Sequence, residues 1–319
     1  MRNYILRRLL ILIPIMLGVS FLTFAMFRMI PGDAAVLRCQ LGCTPEVVKD
    51  LRHQTGLDRP WYRQYSDWLW NIVRHGDLGE SLTESKLPVT TELNRRLPIT
   101  VELLVMTLIM SLLLGIPPGV ISAIRPGTPL DWLTRFGSVL WLSVPSFWLG
   151  ILVIAFGVRW FDWTPPQFGR GYVPFMDDPW VNMQQFFFPS LVLALAIAAA
   201  IMRLTRSSLL EVLRNDYIRT AWSKGLRERT VVVRHALKNA LIPVLTIVGL
   251  QVGALIGGSV IVESVFNLNG VGKYVLEAII RRDFFVVQSV VLLFAATYVV
   301  ANLVVDLLYG WLDPRIRYG

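Results

Sequence analysis

Six long uncharged runs mark out the chain. Leu9–Phe27 lies between Arg8 and Arg28, Leu103–Ile124 between Glu102 and Arg125, and Phe136–Val158 follows Arg135. Pro179–Met202, Asn239–Val262 and Phe284–Val305 complete the set. A membrane-crossing helix needs about 20 mostly apolar residues, so each run predicts a span. The fourth is apolar chiefly from Phe186, since Gln184, Gln185 and Pro189 crowd its start. Helices are expected because the bilayer core offers the backbone no water to bond. A β-barrel would instead show short alternating segments. The pattern predicts an all-α polytopic membrane protein with six transmembrane helices and no charge inside any of them.

Composition agrees: 54% of residues are hydrophobic and 17% are charged, with a mean hydropathy of +0.55. Soluble domains carry about 25% charged residues. The balance argues against a soluble enzyme, a disordered scaffold or a nucleic-acid-binding domain. The net charge of +9 becomes a topology signal once the spans are placed. With the N-terminus inside and span four started at Phe186, the inner pieces hold 16 Lys and Arg against 6 Asp and Glu. The outer pieces hold 15 against 16, and ten of those basic residues lie in the long 28–102 segment, which weighs little. Both termini are therefore expected to be cytoplasmic, with no nucleic-acid partner needed. Arg7-Arg8 before an apolar run also fits a secretory signal peptide. The 19-residue run and the lack of a small-residue cleavage site favour an uncleaved first span.

The chain divides into a tail and first span (1–27), an extracytoplasmic segment (28–102) and a core with the other five spans (103–319). In the outer segment, Thr44 is a candidate N-cap for a helix from Pro45, and Trp61, Tyr65, Trp68, Leu69 and Ile72 recur at helical spacing. That segment reads as a small cap on the bundle, and also as a docking surface for an extracytoplasmic partner. Cys39 and Cys43, four residues apart, are a candidate disulfide, with free thiols as the alternative.

Residues 203–238 are the most informative. Apolar positions 209, 210, 213, 217, 218, 221 and 222 make an amphipathic pattern, and Gly225 is placed to stop a helix. A second helix is expected from about Arg229 into span five. Two readings are open: a hairpin on anionic headgroups, or a knob that fits a groove on another protein. In span five, Gly249, Gly253 and Gly257 recur every four residues and predict close helix packing, inside the chain or between subunits. Pro145 sits within span three and Pro117-Pro118 near the end of span two. Both read as ordinary kinks, with gates as the alternative. Ser143, Ser146 and Gln251 are polar within spans and are candidates for a translocation path.

Catalytic and metal-ligating constellations are not found. Gly270-Val271-Gly272-Lys273 lacks the first glycine and the final hydroxyl of a phosphate-binding loop. The absence of charge in the runs disfavours a proton-relay transporter. A polytopic chain with a projecting cytoplasmic helix and no motor points to energy supplied by a partner.

Asp216-Tyr-Ile-Arg-Thr-Ala-Trp-Ser-Lys-Gly225-Leu, then Arg234-His235-Ala-Leu-Lys-Asn239-Ala-Leu-Ile-Pro243, resembles the coupling signature of bacterial ABC importer permeases. More closely, it is similar to the B-type permease of dipeptide and oligopeptide importers. Arg219-Thr220-Ala221 stands where the general pattern has Glu-Ala-Ala, and Gly225 keeps the spacing. Ile30-Pro31-Gly32-Asp33, Gly56-Leu57-Asp58-Arg59-Pro60, Gly76-Asp77-Leu78-Gly79, Glu263-Ser-Val-Phe266 and Leu312-Asp313-Pro314 extend the likeness over nearly the whole chain.

The resemblance implies a type I ABC importer permease fold in the bacterial cytoplasmic membrane. It implies a homologous second permease, two ABC ATPases that carry ATP and Mg, and an extracytoplasmic substrate-binding protein. This chain itself would bind no cofactor and no metal, and it would also contact membrane lipid. Tyr217, Arg219, Thr220, Ala221, Lys224, Gly225, His235 and Pro243 would couple it to the ATPases. Nickel complexes, glutathione and oligosaccharides are the alternative cargoes.

Overall fold

The structure, a computed structural model, describes residues 2–29, 36, 44–54, 56–82 and 87–312. Cys39 and Cys43, and with them the candidate disulfide, lie outside the described residues. So do Ile30–Asp33 and Asp313–Pro314 of the family-like segments. Among the described residues the fold is helical, with a single isolated bridge between Glu80 and Pro88.

The helices are α1 (Arg2–Met29), α2 (Pro45–Gln54), α3 (Trp61–His75), α4 (Val89–Ile124), α5 (Pro129–Ser143), α6 (Ser146–Phe161) and α7 (Gln167–Arg170). They continue with α8 (Pro179–Leu213), α9 (Asp216–Ser223), α10 (Glu228–Thr230), a π-helical segment (Val231–Ala236), α11 (Leu237–Val265), α12 (Val271–Ile280) and α13 (Phe284–Leu312). Four of these, the α10–α11 run counted as one, are long and apolar enough to cross a membrane, and a fifth if α5 and α6 form one broken span. The apolar part of α1, Leu10–Met26, is shorter.

Local chemistry sets the boundaries. Asp178 caps α8 by accepting from the Trp180 and Val181 amides at 3.1 Å, with Pro179 following as first helical residue. Thr128 and Pro129 open α5 in the same way. Gly76 ends α3 with φ of 64°, its amide turned back to Ile72.

Span three departs from the expected single kinked helix. It is two helices meeting at 99°. Pro145 has no amide to continue α5, and it forces the residue before it out of the helical region. Val144 is accordingly extended, with φ of −89° and ψ of 121°. By contrast, α4 runs on through Pro117-Pro118.

The helices outrun the apolar runs that predict the spans. Glu263 lies in the last turn of α11 and is fully buried, accepting a hydrogen bond from Thr100 at 2.8 Å.

The chain forms two compact units, 1–98 with 269–300, and 99–268 with 301–319. In the first, α3 packs on α1. Tyr65 Oη and Ser20 Oγ are 2.9 Å apart, and the Tyr65 ring meets Phe21 and Phe24. Asp283 accepts from Ser81 Oγ and from the Leu82 amide.

In the second unit, Leu103, Phe186, Ile201, Val262 and Phe266 centre a core that joins α4, α8 and α11. Lipid tails are as apolar as these side chains, so close packing holds such helices together more than water exclusion does. Glycine supplies that closeness. A Cβ on Gly119 would stand 2.7 Å from the Met202 carbonyl oxygen, and one on Gly115 2.7 Å from Ile201 Cγ2. Here α4 touches α8 backbone to backbone.

Candidate functional site: an exposed helix on a buried base

The amphipathic pattern of 209–222 is split between two helices. α8 stops at Leu213, and α9 is a separate two-turn helix from Asp216. Its inward face is Ile218, with no exposed surface, and Ala221, at 7%. Both join Leu209 of α8, Ala123 of α4, Val231, Val232 and Ala236 of the π-helical segment and Ala240 of α11 in one apolar cluster. An eight-residue helix is too short to hold itself in water. This base fixes it.

The remaining α9 side chains are outside. Tyr217, Arg219, Thr220 and Trp222 are exposed, as are Lys224 and Gly225 after the helix. Asn239 of α11 donates to Tyr217 Oη at 2.8 Å and ties the exposed face to the next helix. Thr220 Oγ1 bonds back to the Asp216 carbonyl at 3.0 Å. The Arg219–Asp216 pair, at 3.4 Å and fully in solvent, holds little together.

Gly225 has φ of 71°, a left-handed conformation that side-chain-bearing residues resist. A Cβ there would meet nothing within 4 Å, so conformation and not space selects glycine. The turn closes with the Gly225 amide donating to the Trp222 carbonyl at 2.9 Å and leads into α10.

The expected coupling residues thus fall into four places. Tyr217, Arg219, Thr220, Lys224 and Gly225 share one exposed helix-and-turn. Ala221 faces inward. His235 is half-buried in the π-helical segment, and Pro243 is exposed two turns further on in α11. π-Helical turns often mark functional positions.

The three span glycines separate as well. A Cβ on Gly249 would stand 2.7 Å from Val305 Cγ1, so that glycine packs against α13 within the chain. Gly257 meets nothing within 4 Å and opens outward, and Gly253 is half-buried between them. Of the pathway candidates, Ser143 is exposed at the end of α5 and bonds its own helix at Val139 O, 2.9 Å away. Ser146 opens α6 and Gln251 lies mid-α11, both half-buried.

Sequence reading does not anticipate the junction behind α9. Asp131, in the first turn of α5, is 1% exposed. Arg206 of α8 donates to it through Nε at 2.8 Å and through a terminal nitrogen at 3.0 Å. Ser122 of α4 also donates to Asp131, and the Gly127 amide does so at 3.0 Å. Four donors satisfy a carboxylate that burial alone would penalise. The junction ties α4, α5 and α8 together seven residues before α8 ends. Arg206 and Asp131 both fall in pieces assigned to the inner side by charge, which is the one signal pairing them in the sequence.

Comparison with known proteins places this architecture. Residues 115–318 match the family described as Binding-protein-dependent transport system inner membrane component, and residues 1–104 match its N-terminal counterpart. The dipeptide transport system permease protein DppB of Escherichia coli (strain K12) is 39% identical over 340 residues, covering 100% of this chain and 99% of that one. DppB of Alkalihalophilus pseudofirmus is 38% identical over 336 residues, covering both chains completely. A putative peptide transport system permease protein of Brucella abortus (strain 2308) is 42% identical over 319 residues, again with complete coverage.

Among solved structures, the inward-facing MetNI methionine ABC transporter is similar with a TM-score of 0.54 and 18% identity. The match covers 70% of this chain and 96% of that one. That likeness shows the helical permease fold. This multi-pass chain belongs to the family of binding-protein-dependent transport system inner membrane components.

Proposed function

We propose that this chain is one of two permease subunits of an ATP-driven importer of dipeptides or oligopeptides. The observation that carries the reading is α9, a short helix fixed from behind by Ile218 and Ala221, with Arg219 and Thr220 exposed on the side away from that base and Tyr217 and Trp222 exposed on its two flanks. A short helix held on a rigid base, with an exposed aromatic on each flank, suits insertion into a groove of a partner. The peptide permeases that match the chain end to end support the cargo.

In this reading α1, α4, the broken α5–α6 pair, α8, α10–α11 and α13 make six spans of a type I importer permease. Both termini and α9 are cytoplasmic, in line with the basic residues of the inner pieces. Two ATPases bind ATP and Mg and receive α9 and its counterpart on the second permease. Their closure moves α9, and the apolar base passes that motion to α4, α8 and α11. A binding protein delivers peptide to the opposite face.

The test is reconstitution of the chain with its copurifying partners in proteoliposomes. ATP-dependent uptake of a labelled dipeptide, requiring the binding protein, is the expected result. ATP-dependent uptake of another solute class with no peptide uptake overturns the cargo. A chain that purifies alone, with neither permease nor ATPase, overturns the assignment of partners.

A further inference from the structure

α3 carries more apolar surface than its contact with α1 consumes. One face is spent on that contact. Tyr65 meets Ser20, Phe21 and Phe24, and the Trp61 ring lies 6.4 Å from Phe21. Trp68 is buried beside Tyr65. A second edge of the same helix stays uncovered: Tyr62 is 54% exposed, Trp70 57% and Val73 74%. These three fall within about 80° of one another at 100° per residue. Ser66 is the one polar position within that edge, and Arg63, Arg74 and Asp67 follow at about 20°, 40° and 60° beyond Trp70.

The depth of α3 along α1 follows from its bonds. Arg28, the first charge after the apolar run, bonds Gln64 and stacks over Phe24 at 4.6 Å. Ser20, bonded to Tyr65, lies eight residues earlier, about 12 Å down the helix at 1.5 Å per residue. Gln64 and Tyr65 are neighbours in α3, so this part of α3 lies against α1 between the levels of Ser20 and Arg28. The Tyr62 ring meets the edge of Trp61 at 5.9 Å, and Leu22 and Met26 of α1 are also exposed.

We infer that α3 lies in the headgroup–acyl boundary of the membrane, with Tyr62, Trp70 and Val73 in contact with phospholipid. Tyrosine and tryptophan favour that layer because one end of each ring system is apolar and the other bonds water or headgroups. Amphipathic helices seat their apolar side about 5–10 Å into it, in agreement with the depth set by Ser20 and Arg28. Arg63 and Arg74 then stand at phosphate level, and Arg74 rests over the Trp70 ring at 5.4 Å. The extracytoplasmic helix with the strongest aromatic pattern is thereby assigned to lipid and not to a docking protein. The inference rests on α1 spanning the membrane, as proposed above.

The test is site-directed spin labelling of the assembled transporter in phosphatidylcholine–phosphatidylglycerol vesicles. Nitroxides go on Trp70→Cys and Val73→Cys, on Arg63→Cys and Asp67→Cys, and on Leu22→Cys of α1, in a background with Cys39 and Cys43 replaced by serine. Oxygen partitions into lipid and a neutral nickel chelate into water. Labels at 70 and 73 are expected to show a several-fold higher oxygen-to-nickel accessibility ratio than labels at 63 and 67, at a shallower depth than the label at 22. Equal nickel access at all four α3 positions overturns the inference in favour of water. Immobilised labels at 70 and 73, shielded from both reagents, overturn it in favour of a protein cover. If the label at 22 shows no oxygen preference, the span reading of α1 fails and the inference with it.

Chains with native cysteines provide a second readout. Brominated-acyl lipids quench tryptophan emission, and Trp70→Phe is expected to remove part of the quenchable emission. An unchanged quenchable fraction counts against lipid contact.

Discussion

Arg206 and Asp131 meet as a two-point pair, Nε to one carboxylate oxygen at 2.8 Å and a terminal nitrogen to the other at 3.0 Å. The two ends are not equally buried. The Asp131 side chain is 2% exposed and that of Arg206 24%. Breaking a buried pair from one side leaves the other charge unpaired, at about 3–5 kcal/mol when both are fully buried. Arg206→Ala strands the more buried partner, so it is expected to destabilise more than Asp131→Ala, which leaves a guanidinium that reaches water. The comparison is the inactivation half-life of the detergent-solubilised chain at fixed temperature, with Arg206→Lys, which keeps a cation beside Asp131, the mildest of the three. Equal half-lives for the two alanine variants would show that the asymmetry of burial has no energetic consequence.

A methyl group separates the two kinds of glycine. At Gly119 a Cβ meets backbone, the Met202 carbonyl oxygen at 2.7 Å, and backbone cannot swing aside. Overpacking of this kind costs about 1–3 kcal/mol, so Gly119→Ala is expected to shorten the half-life of the chain. Gly257→Ala meets nothing within 4 Å and is expected to leave the isolated chain unchanged. Should the same substitution weaken copurification of the second permease, Gly257 lies at the subunit interface.

How much of this is legible in the sequence depends on the scale of the feature. The long apolar runs are legible because a bilayer leaves an uncharged stretch of about 20 residues few other stable forms. The Gly225 stop is legible because a positive φ selects glycine. The 99° break at Pro145 is half legible. Proline marks the place, but the extended Val144 turns a kink into two helices. Reading helices from apolar runs ends them at the first charge. α8 continues eleven residues past Met202, and that extension carries Arg206 to Asp131. Gly115-x-x-x-Gly119 has the same spacing as the glycines of α11, and the same rule applied to span two points to the α4–α8 contact.

The Tyr172 hydroxyl, in the turn before α8, donates to Glu102 at 3.0 Å. Burial, reinforced by that carboxylate, pushes its pKa up to about 12. An unfolded tyrosine titrates near 10. The folded state therefore holds this proton more tightly. The stabilisation is complete below about pH 10 and disappears as pH rises towards 12. Relative to Tyr172→Phe, the parent chain is expected to lose part of its stability advantage between pH 10 and 12 and none between pH 6 and 9. A difference between the two that stays constant to pH 12 would place the phenol outside the titration.

Substitutions on the two faces of α9 are expected to separate folding from coupling. Ile218 is fully buried, so Ile218→Asp places a charge in an apolar cluster and should abolish the folded chain. Tyr217 and Trp222 are 43% and 45% exposed. Tyr217→Ala loses the bond from Asn239, worth about 1 kcal/mol, and Trp222→Ala loses the contacts of the covered part of its ring. Neither should reduce the yield of folded chain. If the exposed face is the one that enters the ATPase groove, Trp222→Ala lowers both ATPase retention during purification and ATP-driven uptake, because a buried aromatic anchor carries a large share of an interface. Gly225→Leu forces φ away from 71° at about 1–2 kcal/mol and tilts the helix instead of stripping its face. Its expected signature is retained ATPase with a lower ratio of transport to ATP hydrolysis. Full uptake by a stable Trp222→Ala variant would remove α9 as the point of contact.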